Sequence, residues 1–165
     1  MYKKILVLLL AIFINTSSFA FGWPKDYKPL KQEAAFGAAK ENNKPIAVYY
    51  SLSYCPGCKI MDSHLRSNAV YEYLNTKINT VTVDPGADLS ADQRAKIRSE
   101  WGQIVTPTIA YFSASGDFVC MQIGRFDDAD KALEFWQKLV PKLTESNKSS
   151  KPRSCTSLVN TKSRA

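Results

Sequence analysis

Ile46-Ala47-Val48-Tyr49-Tyr50-Ser51-Leu52-Ser53-Tyr54-Cys55-Pro56-Gly57-Cys58-Lys59 runs from a block of strand formers straight into two cysteines separated by two residues. Ile46 to Tyr50 is short, apolar and rich in branched and aromatic side chains, the pattern of a strand covered on both faces. From Pro56 to about Arg66 the apolar positions Ile60, Met61 and Leu65 suit a helix, which breaks near Ser67-Asn68 and resumes to Leu74. Proline is well placed at the first helical position, where its missing N–H costs nothing, so Cys55 becomes the N-cap. The two cysteines therefore stand where a buried strand hands over to a helix.

Outward from this junction the chain alternates between the two periods. Leu30, Ala34 and Ala38 mark a helical face that Asn42-Asn43-Lys44-Pro45 ends. Ile78 to Val83 is a second strand, turned out by Asp84-Pro85-Gly86. Ser90-Ala91-Asp92-Gln93 has the capping-box pattern and opens a helix to about Trp101. Thr108–Phe112 and Phe118–Ile123 are strands joined by Ala114-Ser115-Gly116-Asp117, which predicts an antiparallel hairpin. Asp127, Asp128 and Asp130 favour the positive end of a last helix whose apolar face is Leu133, Trp136, Val140 and Leu143. Pro141 is expected to kink or end it. Strands one and two, linked through helix, should run parallel. The fold class is α/β, a mixed sheet of four to five strands with helices on both faces.

The ends carry signals of a different kind. Lys3 and Lys4, the apolar stretch Ile5 to Ile14 and the small residues Ser18 and Ala20 form a secretory signal cut after Ala20. As a helix its apolar run spans about 15 Å, against roughly 30 Å of hydrocarbon, which disfavours a membrane anchor. Residues 1–20 are therefore read as a signal peptide, 21–144 as one domain and 145–165 as a basic, disordered tail, poor in large apolar side chains. Of the net charge of +7, the leader lysines account for two and the tail for four, which leaves the domain near +1. A domain so close to neutral is not expected to bind nucleic acid.

A pair of cysteines at a helix start, about 60° apart around the axis, can be bridged without moving the backbone. The free amides and positive dipole of that helix end stabilise a thiolate at Cys55, which is the expected nucleophile; Cys58, one turn in, is suited to resolve a mixed disulfide. An inert bridge is the competing reading, yet so short a loop contributes little stability. Metal binding is another. His64, the only histidine, falls about 180° from Cys55 and about 120° from Cys58 on a continuous helix, so it cannot easily complete a zinc site. A two-thiolate copper(I) site needs no histidine and remains the alternative function, beside a non-catalytic binding module. No metal is assigned, and no cofactor is expected beyond the redox-active Cys55–Cys58 disulfide itself.

The chain resembles thioredoxin-fold proteins over about Leu30 to Leu143. Three separated stretches carry the resemblance: Tyr54-Cys55-Pro56-Gly57-Cys58-Lys59, then Val105-Thr106-Pro107-Thr108 before the third strand, and Gly124 ending the fourth. It implies that Pro107 follows a cis peptide bond beside the cysteines, and that Thr106 offers its backbone to an extended substrate. Tyr54, in place of the family's usual Trp, keeps an aromatic wall, and Pro56, Gly57, Lys59 and Gly124 are implied supporting residues. Cys58-Lys59-Ile60-Met61-Asp62, Asn68–Leu74 and Val81–Asp84 look most like the exported branch, which includes the periplasmic C-terminal domain of the transmembrane disulfide reductase. That implies a reducing role on exported proteins with cysteines or disulfides, electrons from a membrane thiol–disulfide donor, and a periplasmic location in a Gram-negative source. Strong oxidants of the family tend to have His where Gly57 stands, which favours reduction here. Two departures matter. Cytosolic thioredoxins carry a buried Asp six residues before the first cysteine, and that position is Tyr49; the accompanying Lys is replaced by Thr80. A tyrosine hydroxyl is no base near neutral pH, so resolution by Cys58 is left to water or to Lys59.

Two cysteines remain. Cys120, in step with Phe118 in the fourth strand, is read as a buried structural thiol. Cys155 in the tail either pairs with Cys120 and pins the tail, or is exposed and free to pair between chains.

Overall fold

Residues 31–144 and 153–160 are described by the structure, a computed structural model. In chain order the elements are α1 (Gln32–Asn42), β1 (Ile46–Tyr50), α2 (Pro56–Leu65), α3 (Asn68–Lys77), β2 (Asn79–Val83), α4 (Ala91–Trp101), β3 (Thr108–Phe112), β4 (Phe118–Ile123), α5 (Ala129–Thr144) and α6 (Cys155–Asn160). The sheet order is β2-β1-β3-β4. β1 runs parallel to β2 and antiparallel to β3, and β3 and β4 form the expected antiparallel hairpin.

β1 is central, and all five of its residues are buried. Its alternation sorts the core into two layers. Ala47 and Tyr49 face a cluster with Met61 and Leu65 of α2, Leu74 of α3, Tyr111 of β3 and Trp136 and Leu139 of α5. Ile46, Val48 and Tyr50 face the other way, onto Ala35 and Ala39 of α1, Val81 and Val83 of β2, and Leu89. Each large side chain buried this way contributes roughly 1.5–3 kcal/mol. Two of the polar groups in the first layer satisfy each other, since Trp136 Nε1 donates to Tyr111 Oη at 2.5 Å.

α4 opens on the capping box that its sequence announces: Gln93 N donates to Ser90 Oγ at 3.2 Å and Ser90 N to Gln93 Oε1 at 2.8 Å. Pro141 does not end the last helix, which continues to Thr144. Val140 and Leu143 lie on either side of it and are both buried, so packing holds the last turn.

The expectation of a disordered tail is corrected for the part that is described. Cys155 is bonded to Cys120 of β4, Met121 N donates to Arg153 O at 2.9 Å, and Arg153 Nε donates to Val119 O at 2.9 Å. Lys142 Nζ donates to Leu158 O at 2.6 Å. A short polar segment that cannot bury enough apolar surface by itself is ordered by a covalent tether and by the edge of β4. The expected signal peptide, 1–20, and residues 145–152 and 161–165 of the tail lie outside the described residues.

Candidate active site

The chain leaves the buried β1 through Ser51, whose N–H bonds Val83 O at 3.0 Å, and turns at Leu52–Tyr54 into α2. Cys55 is the N-cap of that helix, in extended backbone conformation (φ −80°, ψ 115°), with Pro56 following. Cys58 N donates to Cys55 Sγ at 3.2 Å. The two sulfurs form a disulfide across Cα atoms 5.2 Å apart. Their surroundings differ: Cys58 is fully buried, whereas Cys55 is only partly so. An incoming sulfur therefore meets Cys55 first.

The loop before β3 closes over this pair. The Thr106–Pro107 peptide bond is cis, and Thr106 O lies 3.5 Å from Cys55 Sγ. Gly57 permits the approach, because a Cβ there would sit 3.2 Å from Pro107 Cδ. Gly124, at φ 85°, donates its N–H to Pro107 O at 2.9 Å and so ties the end of β4 to the loop. Tyr54, Val105 and Ile123 are 77%, 45% and 55% exposed and form an apolar rim. Lys59 is exposed.

Beneath the cysteines lies a polar group that the sequence reading missed. Tyr49 Oη donates to Asp62 Oδ1 at 2.8 Å and lies 3.3 Å from Cys58 O. Both side chains are buried, Tyr49 at 1% and Asp62 at 6% exposure. Burial raises the Asp62 carboxyl above the ordinary carboxylate value, against the lowering effect of the Tyr49 hydrogen bond and of Arg66. Burial also pushes the Tyr49 hydroxyl far above the usual tyrosine range, so it stays protonated as a donor. Ser51, next on the same face of the strand, acts on that hydroxyl, yet its own buried Oγ makes no hydrogen bond of acceptable geometry. The signal available in the sequence was the spacing: Asp62 is one turn beyond Cys58, on the buried face of α2 with Met61 and Leu65.

His64 points elsewhere, its Nε2 3.2 Å from Phe126 O. Among the described residues no group of three or more His, Cys, Asp or Glu is placed to hold a metal ion. A cleft of about 750 Å3 lies between α1, β2 and the start of α4, lined by Phe36, Val83 and Gln93 among others, and contains neither cysteine.

Solved structures share the overall fold. A thioredoxin from Thermus thermophilus superposes with a TM-score of 0.55 at 18% identity, over 67% of this chain and 84% of that one. The chain has a thioredoxin fold. A DsbH oxidoreductase matches at a TM-score of 0.53 and 17% identity, covering 70% of this chain and 85% of its own. The oxidised C-terminal domain of DsbD from Neisseria meningitidis matches at 0.50 and 20%, covering 67% and 97%. No protein-family model and no curated protein matches the sequence. At these identities the likeness concerns the thioredoxin fold, and the chemistry has to be argued from the cysteines themselves. A partly exposed N-cap sulfur with a buried partner one turn away can carry out dithiol–disulfide exchange.

Proposed function

We propose that this chain is an exported thiol–disulfide oxidoreductase that reduces or isomerises disulfides of other exported proteins. The observation that carries the reading is the hydrogen bond from Cys58 N–H to Cys55 Sγ at the start of α2. In the reduced protein that amide and the helix dipole stabilise negative charge on Cys55 and make it the attacking thiolate. Cys55 attacks one sulfur of a substrate disulfide, the substrate S–S bond breaks, and its other sulfur leaves as a thiolate that takes up a proton. Cys58, having lost its own proton, then attacks Cys55. The Cys55–Cys58 bond forms and the second substrate sulfur is released, so two electrons pass from protein to substrate.

Thr106 and Pro107 form the edge against which an extended substrate backbone lies, and Tyr54 with Val105 and Ile123 gives it an apolar floor. Gly57 in place of a histidine removes a cation that would stabilise the reduced form, and this favours reduction over oxidation. Each turnover leaves the pair oxidised, so a membrane thiol–disulfide donor is needed to restore it. The leader at residues 1–20 supports export, to the periplasm where the source is Gram-negative. Among the described residues no helix is long and apolar enough to cross a membrane. Structural neighbours that are named oxidoreductases agree with this chemistry.

The test is direct. In the reduced protein Cys55 should react with an alkylating reagent near neutral pH at least about tenfold faster than free cysteine, whose thiol titrates near 8.5, and Cys58→Ser should accumulate mixed disulfides with exported proteins. A Cys55 thiol no more reactive than free cysteine would remove the reading. A measured reduction potential of the pair then decides the direction of electron flow.

A further inference from the structure

Resolution requires a proton to leave Cys58, a fully buried thiol. Burial among apolar groups disfavours the thiolate, so a thiol there needs an acceptor close by. Lys59, on the same helix, is exposed, whereas the thiol is fully buried. Tyr49 occupies the strand position beneath the pair, and its hydroxyl is fixed as a donor. We infer that Asp62, held in place by Tyr49, accepts the proton of Cys58 in the resolving step. The inference rests on the oxidoreductase reading and adds the residue that makes its second step possible.

The geometry fits a carboxyl that changes protonation state. Cys58 and Asp62 are one turn apart on the same buried face of α2, a spacing that sets their Cβ atoms about 5–6 Å apart, a gap that one water can bridge. Tyr49 Oη stands between two acceptors, Asp62 Oδ1 at 2.8 Å and Cys58 O at 3.3 Å. While Asp62 is ionised, the hydroxyl donates to it. Once Asp62 carries the proton, its own O–H can donate to Tyr49 Oη and the tyrosine proton can turn to Cys58 O, with no heavy atom moving. Either state is thus hydrogen-bonded, which a buried group must be if it is to titrate without large cost. The partnerless Ser51 Oγ on the same strand face gives the cluster one more hydroxyl that can serve as donor or acceptor.

The charges that act on Asp62 are few. Arg66 on its own helix and Tyr49 from β1 are the groups that influence it, and α5, packed on α2, contributes apolar Ala132 and Trp136 to the same core. Asp62 is therefore a proton acceptor above the ordinary carboxylate range, and Tyr49 is a positioning residue. The balance is complete: the proton goes from Cys58 Sγ to Asp62, the Cys58 electron pair forms the new S–S bond to Cys55, and the bond from Cys55 to the substrate sulfur breaks. The leaving thiolate is then protonated, and Asp62 returns its proton to solvent.

Reduced protein mixed with dithiobis(nitrobenzoate) in a stopped-flow instrument separates the steps, because each releases one coloured thiolate. The first phase is attack by Cys55 and the second is resolution by Cys58. Asp62→Asn should slow the second phase by about a hundredfold near neutral pH and spare the first. The difference should shrink as pH rises beyond the ordinary thiol range near 8.5, because hydroxide then takes the proton that Asp62 would accept. Tyr49→Phe, which removes the donor to the carboxylate, should shift the midpoint of the second phase to higher pH. Equal second phases in wild type and Asp62→Asn, or a deficit of the same size at every pH, would overturn the inference; so would a Tyr49→Phe midpoint that does not move, which decides the matter if Asp62→Asn does not fold. A first phase no faster than free cysteine would instead sink the oxidoreductase reading itself.

Discussion

At the scale of single residues, the buried Asp62 sets function against stability. Its carboxyl is raised in the folded state by burial, so the fold prefers it protonated. The stability it contributes is fully present in acid, below the value of the unfolded chain, and is lost as pH rises through the raised folded value. Near neutral pH the ionised group is a net cost. Asp62→Asn keeps an acceptor for the Tyr49 hydroxyl without the charge, and is expected to have a higher urea midpoint than wild type at neutral pH, the gap shrinking towards pH 4 and below, the ordinary range for Asp. A gap that does not change with pH would mean that the carboxyl is not held above its usual value. The juxtaposition of Cys55, Cys58 and Pro107 was legible in sequence because their spacing and order carry the message. Asp62 was not, since it acquires meaning only when the inward face of β1 meets the inward face of α2. Reading Tyr49 alone as a lost carboxylate missed that it hydrogen-bonds a buried carboxylate on the neighbouring element, Asp62.

At the scale of elements, local rules were enough wherever an element is stabilised by itself. α4 illustrates this, for none of its residues is buried, and Ile97 and Trp101 only lean against the core. Its capping box, with Ser90 and Gln93 bonded in both directions, therefore matters more than in a well-packed helix. Ser90→Ala is expected to lower unfolding free energy by about 1 kcal/mol, measured as a shift in urea midpoint at constant slope, while alkylation of Cys55 stays as in wild type. A negligible shift would mean that packing of Trp101 against Phe118 and Phe112 holds the helix without its cap. α5 shows where the local rules stop. Pro141 predicts a kink or an end, and the helix runs on to Thr144 with Val140 and Leu143 buried in the core, so tertiary burial outweighs one missing hydrogen bond.

At the scale of the whole molecule, the two disulfides have opposite roles. Cys55–Cys58 closes a separation of 3 residues with Cys55 partly exposed, whereas Cys120–Cys155 spans 35 residues with both cysteines fully buried. Composition described the tail correctly as polar and basic but had no access to this tether, because four cysteines allow three pairings and only the fold selects one. Loop closure makes the long bridge a stabilising element: in the chain-entropy account a loop of this length contributes about 4 kcal/mol. Replacing Cys120 and Cys155 together by Ala should lower unfolding free energy by about that amount and free the tail to proteolysis, with the Cys55 chemistry intact. The same contrast in burial sets the order of reduction. As reductant is raised gradually, the Cys55–Cys58 bond should open first and the buried bridge only when the fold opens, since thiol attack requires access to a sulfur. Mass spectrometry after rapid alkylation reads this order, two labels appearing well before four. Simultaneous appearance of all four labels would show that the tail bridge is as accessible as the active pair, and that the tail is a second site of exchange and not a structural clasp.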